Sequence, residues 1–228
     1  MLRKSLLTLL SGITILSVNA QNSVTRDIAP FSKLYVEDRI IVRLVKSDKE
    51  SALIQTQGID ESAVKSENSD NTLQLSVYGE PFTKKKVMVT LNYVNLTDIE
   101  VAGGADVTTT SLFKGQALNI NLKSGGMLYL DADITTLNGK LTEGALLTAE
   151  GYAKNMDVTV STTATVSAYD FECDTINIKV SSGGKAKIYA EDVLNAEAST
   201  KGFISFKGDP EKVIQNAISG GTIEVYKP

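Results

Sequence analysis

The chain has 228 residues, 23 basic and 27 acidic, with one cysteine, no tryptophan and no histidine, for a net charge of −4. The missing histidine excludes Ser-His-Asp and Cys-His catalysis, zinc sites that need His, and haem held by His. Every arginine lies at or before Arg43, so most of the length offers no guanidinium to a phosphate backbone and nucleic acid is not an expected partner.

Residues 1–20, MLRKSLLTLLSGITILSVNA, have the pattern of a secretory signal. Arg3 and Lys4 form a basic start, Leu6 to Val18 an apolar stretch, and Val18-Asn19-Ala20 a small-residue cleavage site before Gln21. No other apolar segment is long enough to span a membrane as a helix. No Cys adjoins the cleavage site, so no lipid anchor is expected there. Removing Arg3 and Lys4 leaves 21 basic against 27 acidic residues, a net charge of −6. Cys173 has no second cysteine to bond, so stability must come from burial rather than cross-linking.

Residues 21–95 read as an N-terminal β region, either the first irregular coils of a solenoid or a cap over its open end. FSKLYV, RIIVRL, SALIQT, TLQLSV and KVMVTL predict strands by their alternation of apolar and polar residues. GIDESAVKSENSDN, 58–71, predicts a polar loop with room for a short helical turn. GEPFTKKK, 79–86, predicts a turn whose lysines are solvated edge protection.

From 96 to 228 the chain repeats itself. Seven apolar anchors, Val101, Leu122, Leu141, Val160, Val180, Ala198 and Ala217, are separated by 21, 19, 19, 20, 18 and 19 residues. Six residues after each anchor stands an aliphatic side chain, from Val107 to Ile223, and the intervening alternation has a period of two. Ser-Gly-Gly-type breaks follow most anchors, where a corner needs positive φ. The rhythm departs at VSTTATV, 160–166, and at ASTKGFI, 198–204. A helix is excluded by this period and by the glycines. The expectation is an all-β, single-stranded parallel β-helix, with two strands and a short variable third side per turn.

RDIAPFSKLYVEDRIIVRL, NTLQLSV and LTDIEVAGGADV, followed by the Ser-Gly-Gly series, resemble the putative auto-transporter adhesin, head GIN domain family. The resemblance spans nearly the whole chain after residue 20. It implies a right-handed parallel β-helix in the envelope of a Gram-negative bacterium, and an adhesive role. The sequence itself contains no run of alternating ten-residue segments that would form a translocating barrel.

Chemistry is sparse. Cys173 lacks a basic neighbour to make it a thiolate and reads as a small, partly buried, inert thiol. No phosphate loop or dinucleotide fingerprint is present, and GGAD at 103–106 lacks the tandem glycines of a calcium roll, so no cofactor or metal is expected. Three residues before the anchors run Asp98, Asn119, Asn138, Asp157, Asn177 and Asn195, a column suited to stacked amides.

Nine residues after the anchors run Thr110, Asp131, Glu150, Tyr169, Tyr189, Lys207 and Tyr226. This column should face solvent, with Asp131 beside Glu150 and Tyr169 beside Tyr189 on adjacent coils. Rings to stack on sugars, with acids to orient hydroxyls, make Asp131, Glu150, Tyr169, Tyr189 and Tyr226 the candidate binding residues. The plain alternative is that tyrosine suits strand surfaces. Three functions remain open: a non-enzymatic exported adhesin or binding scaffold with a glycan or envelope or host-surface protein as partner, a polysaccharide-active hydrolase or lyase using Asp131 and Glu150, and a purely structural periplasmic protein. Lys227 and Pro228 read as protection of the last strand against pairing.

Overall fold

Each turn of the repeat closes at two successive residues in the left-handed region. Ser124 and Gly125 have φ of 50° and 72°, Ser182 and Gly183 50° and 72°, and Ser219 and Gly220 51° and 77°. Glycine adopts this conformation without steric penalty, which is why it recurs at the second position. Both departures from the glycine rhythm keep the geometry: Thr162 and Thr163 have φ of 50° and 62°, Thr200 and Lys201 48° and 63°. Corner N–H groups donate to the next corner, as Gly125 N to Glu143 O at 2.9 Å and Thr163 N to Ser182 O at 3.2 Å. These intercoil bonds hold the non-glycine corners in register with their neighbours.

The computed structural model describes residues 22–79 and 86–227. The signal reading of 1–20 and most of the expected turn at 79–86 lie outside the described residues. The strands are β1 (Asn22–Asp27), β2 (Lys33–Val36), β3 (Ile41–Lys46), β4 (Ser51–Gln57), β5 (Val64–Ser69) and β6 (Thr72–Val77). They continue with β7 (Lys86–Tyr93), β8 (Asp98–Val101), β9 (Asp106–Thr109), β10 (Phe113–Leu122), β11 (Met127–Leu141) and β12 (Leu146–Val160). The last are β13 (Thr165–Val180), β14 (Lys185–Ala198), β15 (Phe203–Lys207), β16 (Lys212–Ala217) and β17 (Thr222–Val225). They stack as a β-solenoid of about 7 turns.

Two parallel ladders run the length of the solenoid. The first, the anchor sheet, follows β6, β2, β8, β10, β11, β12, β13, β14 and β16. The second follows β7, β3, β9, β11, β12, β13, β14, β15 and β17. In β11 to β14 one strand of 14 to 16 residues covers both sheets and the side between them. The short variable third side expected per turn is therefore a hydrogen-bonded third face through these coils. Inward residues such as Leu128, Leu130, Leu137 and Leu141 of β11 are buried. Their counterparts on the next coil stand directly across the ladder, as Leu128 does from Leu147.

The N-terminal strands do not stack in chain order. β2 and β3 lie between β6 and β7 on one side and β8 and β9 on the other. Beyond them the pairing turns antiparallel: β4 covers β7, β1 covers β4, and β5 covers β6. The expected polar loop at 58–71 holds a 3-10 turn at Glu61–Ala63 and then β5, which returns through Asp70 and Asn71, at φ of 50° and 62°, into β6. Two left-handed residues of this kind make a tight hairpin, so Asp-Asn carried a turn signal that the polarity of the segment masked.

On the third face, Phe113 lies across from Ala132, Ala132 from Gly151, and Gly151 from Phe171. Two buried rings thus bracket buried Ala132 and exposed Gly151 in this column. Gly151 has φ of 105°, and a Cβ there would lie 2.1 Å from the Ala132 oxygen. Cys173 is fully buried against this face rather than partly so. Loss of hydration pushes its thiol pKa up to about 12.

Candidate functional site

The outward side of the second sheet carries two columns, seven and nine residues after each anchor. Together they line a groove of about 520 Å3 that includes Tyr129, Asp131, Thr148, Glu150, Tyr169 and Lys187. Period-two alternation places these side chains outward because their neighbours Leu128, Leu130, Leu147 and Ala149 point into the core. Asp131 and Glu150 stand directly opposite each other on adjacent coils. A second hollow of about 590 Å3 adjoins it, sharing Tyr169 and Lys187 and ending at Ser205, Glu224 and Tyr226.

The expected neighbours Tyr169 and Tyr189 are not brought together. Between Thr148 and Glu150 of β12 the pairing shifts by one residue in β13, so that Glu150 meets Asp170. Against β14 the ladder is interrupted between Ser167 and Glu172, and Glu172 pairs with Tyr189. Tyr189 turns away from the groove, its hydroxyl pKa raised first by a hydrogen bond to Glu191 and then by the charges of Glu191 and Glu172. Its ring also lies over Gly208, Cδ2 being 3.1 Å from where a Cβ would stand. The bulge releases Tyr169 from the strand's regular spacing.

Tyr169 instead reaches along the solenoid axis. Its hydroxyl donates to Ser205 Oγ at 2.8 Å, and its ring meets that of Tyr226 at 4.8 Å between centroids, tilted 53°. Lys207 Nζ lies 4.9 Å from the Tyr169 centroid and 5.4 Å from that of Tyr226, with Asp170 Oδ1 3.8 Å away. Lys187 Nζ approaches Tyr169 at 5.8 Å. Cation–ring contacts of this kind favour a fixed lysine position over an aromatic pair. The result is a polar trough with three rings, of Tyr129, Tyr169 and Tyr226, lysine ammonium groups beside them, and four carboxylates, of Asp131, Glu150, Asp170 and Glu224.

Four of the five candidate residues, Asp131, Glu150, Tyr169 and Tyr226, therefore line the two hollows, and Tyr189 does not. Sequence reasoning missed Tyr129, Lys187, Ser205 and Asp170. The first three stand seven after the anchor, an outward column as readable as the one chosen, and the 20-residue spacing from Val160 to Val180 signalled the inserted residue. The Asn column is exposed and hydrogen-bonded in part: Asn119 Nδ2 donates to Asp98 Oδ1 at 3.2 Å, Asn138 to Asn119 at 3.0 Å, and Asn195 to Asn177 at 2.7 Å. Among the described residues no group of three or more His, Cys, Asp or Glu could hold a metal ion. No helix among them is long and apolar enough to cross a membrane.

A family model for the "Putative auto-transporter adhesin, head GIN domain" matches residues 30–210. The chain belongs to this family. Within the head GIN domain family's fold, a solved structure described as a putative adhesin from Bacteroides fragilis is 18% identical with a TM-score of 0.83, over 92% of this chain and 98% of that one. Another so described, from Parabacteroides merdae, is 21% identical with a TM-score of 0.74, over 91% and 96% of the two chains. A third, from Parabacteroides distasonis, is described as a putative lipid binding protein; it is 18% identical with a TM-score of 0.67, over 90% and 97%. These likenesses concern the fold, which by itself carries no activity. No curated protein matches the chain. The adhesin label of the family agrees with a binding role.

Proposed function

We propose that this member of the head GIN domain family is an exported, non-enzymatic protein of a Gram-negative envelope that binds saccharide chains in the groove over its second sheet. The observation that carries the reading is the Tyr169–Tyr226 ring pair with Lys187 and Lys207 beside it, in a trough continuous with Asp131 and Glu150. Sugar rings present C–H faces to aromatic side chains and hydroxyls to carboxylates and ammonium groups, and an open trough accepts a chain without enclosing its ends. A host or envelope glycoprotein would be held through its glycan by the same contacts.

A second reading rests on Asp131 standing opposite Glu150. Two carboxyl groups one strand apart match the close spacing of a retaining glycosidase pair, which makes Glu150 the residue to test for polysaccharide cleavage. One experiment separates the two. The purified protein is passed over a panel of host and microbial polysaccharides, and both retention and the release of new reducing or unsaturated ends are measured. Retention without new ends is the expected outcome. Cleavage that Glu150→Gln abolishes would replace the binding reading with the enzymatic one, and no retention on any glycan would sink both.

A further inference from the structure

Charge along the outward side of the second sheet is segregated by coil. In β11, β12 and β13, within 127–131, 146–150 and 165–170, that side carries Asp131, Glu150 and Asp170 and no base. In β14 and β15, within 185–189 and 203–207, it carries Lys185, Lys187 and Lys207 and no acid. Lys185 and Lys187 are exposed and form no ion pair among the described residues. Lys207 meets Asp170 at 3.8 Å, but that carboxylate is 83% exposed, so water screens the pair. Glu224 is the one acid lining the second hollow, against Lys187 and Lys227. Both lysine-bearing strands lie inside the stack, β14 between β13 and β15, and β15 between β14 and β17. The basic patch is therefore a face of the solenoid, and it reverses the field of a chain whose net charge is −4.

We infer that the lysine end of the groove is a subsite for an acidic sugar, a uronate unit whose ring lies on Tyr169 and whose carboxylate is held by Lys187 and Lys207. Both ammonium groups flank the one ring, Lys187 Nζ at 5.8 Å and Lys207 Nζ at 4.9 Å from its centroid. The ring is fixed beforehand, since Ser205, only 3% exposed, accepts its hydroxyl proton at 2.8 Å. A uronate carboxylate hangs from the edge of a pyranose, so the sugar's C–H face stacks while the charge reaches the flanking lysines. Charge-assisted hydrogen bonds to ammonium are stronger than those of a neutral hydroxyl, so the carboxylate is favoured there. Two rungs away, about 10 Å at the spacing of the ladder, stands Glu150 with Asp131 beyond it. These carboxylates accept hydroxyl protons and repel a second anion. The groove is thus matched to a chain in which neutral units separate the acidic ones, and set against a chain acidic at every unit.

This subsite rests on the saccharide reading of the groove, and the test separates the two. Hyaluronan and gellan, in which neutral sugars space the uronates, and polygalacturonate, in which every unit is acidic, are each immobilised beside their carboxyl-methylated forms. The full groove panel of neutral glycans is run with them. The expected result is that hyaluronan or gellan is retained about 10-fold more tightly than its methyl ester, and more tightly than polygalacturonate. The double variant Lys187→Gln with Lys207→Gln should lose that preference and keep its circular dichroism spectrum. Lys140→Gln with Lys154→Gln removes the same charge from exposed positions outside the groove and should keep it. Equal or tighter retention of the esters, polygalacturonate held most tightly, or an equal loss in the Lys140 and Lys154 variant would each overturn the acidic subsite. So would retention of neutral glycans alone, which leaves the saccharide reading standing. Retention of no glycan at all would sink both.

Discussion

Tyr169 and Tyr226, 57 residues apart in sequence, bring their rings to 4.8 Å between centroids at a tilt of 53°, with the Lys207 ammonium 4.9 Å from the first centroid and 5.4 Å from the second. The contact crosses two coils, and it exists because the β13 bulge frees Tyr169 to lie along the solenoid axis. Ser205 then anchors the phenol at 2.8 Å. A surface ring held by a hydrogen bond, a neighbouring ring and two lysines is preorganised, so a ligand stacking on it loses little side-chain entropy.

The Tyr169 contacts separate binding from stability. Tyr169→Phe removes one partly buried hydrogen bond and should lower stability by about 1 kcal/mol while keeping the ring. Tyr226→Ala removes a stacking platform at an exposed position and should weaken glycan retention by roughly 3- to 10-fold, equivalent to about 0.5–1.5 kcal/mol. Its melting temperature should move little. Binding isotherms and thermal melts on the same preparations check both; equal loss of both properties in Tyr226→Ala would make the pair structural.

The non-glycine corners store strain. Thr163 and Lys201 hold left-handed φ of 62° and 63° where other turns use glycine. Relief of the Cβ clash is worth about 1–2 kcal/mol, and the added freedom of glycine in the unfolded chain offsets part of it. Thr163→Gly and Lys201→Gly should each stabilise by about 0.5–1 kcal/mol in denaturant titrations, with an unchanged m-value.

The reverse holds at Gly151. A methyl group there would stand 2.1 Å from the Ala132 oxygen, a fixed backbone atom of the adjacent coil, and its φ of 105° disfavours any side chain. Gly151→Ala should destabilise by about 3 kcal/mol or more, through loss of ladder pairing between β11 and β12. Unfolding followed by circular dichroism reads this directly.

Thr56 is an inward residue of β4, 1% exposed, whose hydroxyl has no hydrogen-bond partner among the described residues. Thr56→Val keeps the shape and removes the unsatisfied group, so it should stabilise by about 1 kcal/mol. A loss of stability would reveal a partner for the hydroxyl.

Cys173 carries a pH prediction. Burial raises its thiol to about 12 from an ordinary value of 9.0, so the native chain keeps the proton after the unfolded chain has lost it. The stabilisation is whole below pH 9.0, and it is lost as pH climbs from there through the folded value. Stability should fall more steeply above pH 9.0 in the parent than in Cys173→Ala. Thiol reagents at neutral pH should label the native protein only on the timescale of unfolding.

The architecture was readable from residue order because the physics that sets it is local and repeated. Period-two alternation tells which face of a strand is buried, and left-handed corners demand glycine or tolerate a few polar residues, so Val107 to Ile223 and Ser124-Gly125 to Ser219-Gly220 announced coils and corners without a neighbour in view. The same pattern is silent on which strand pairs with which when spacing is irregular. That β6 and β7 slide beneath β2 and β3, and that β4, β1 and β5 close that end antiparallel, depends on loop closure and on edges that must be covered, both properties of the whole chain. The candidate residues divide on the same line. Asp131 and Glu150 could be placed side by side from their columns, whereas Tyr169 left Tyr189 for Tyr226 because one inserted residue redirects a side chain over two coils, and a side chain's direction is decided by tertiary pairing.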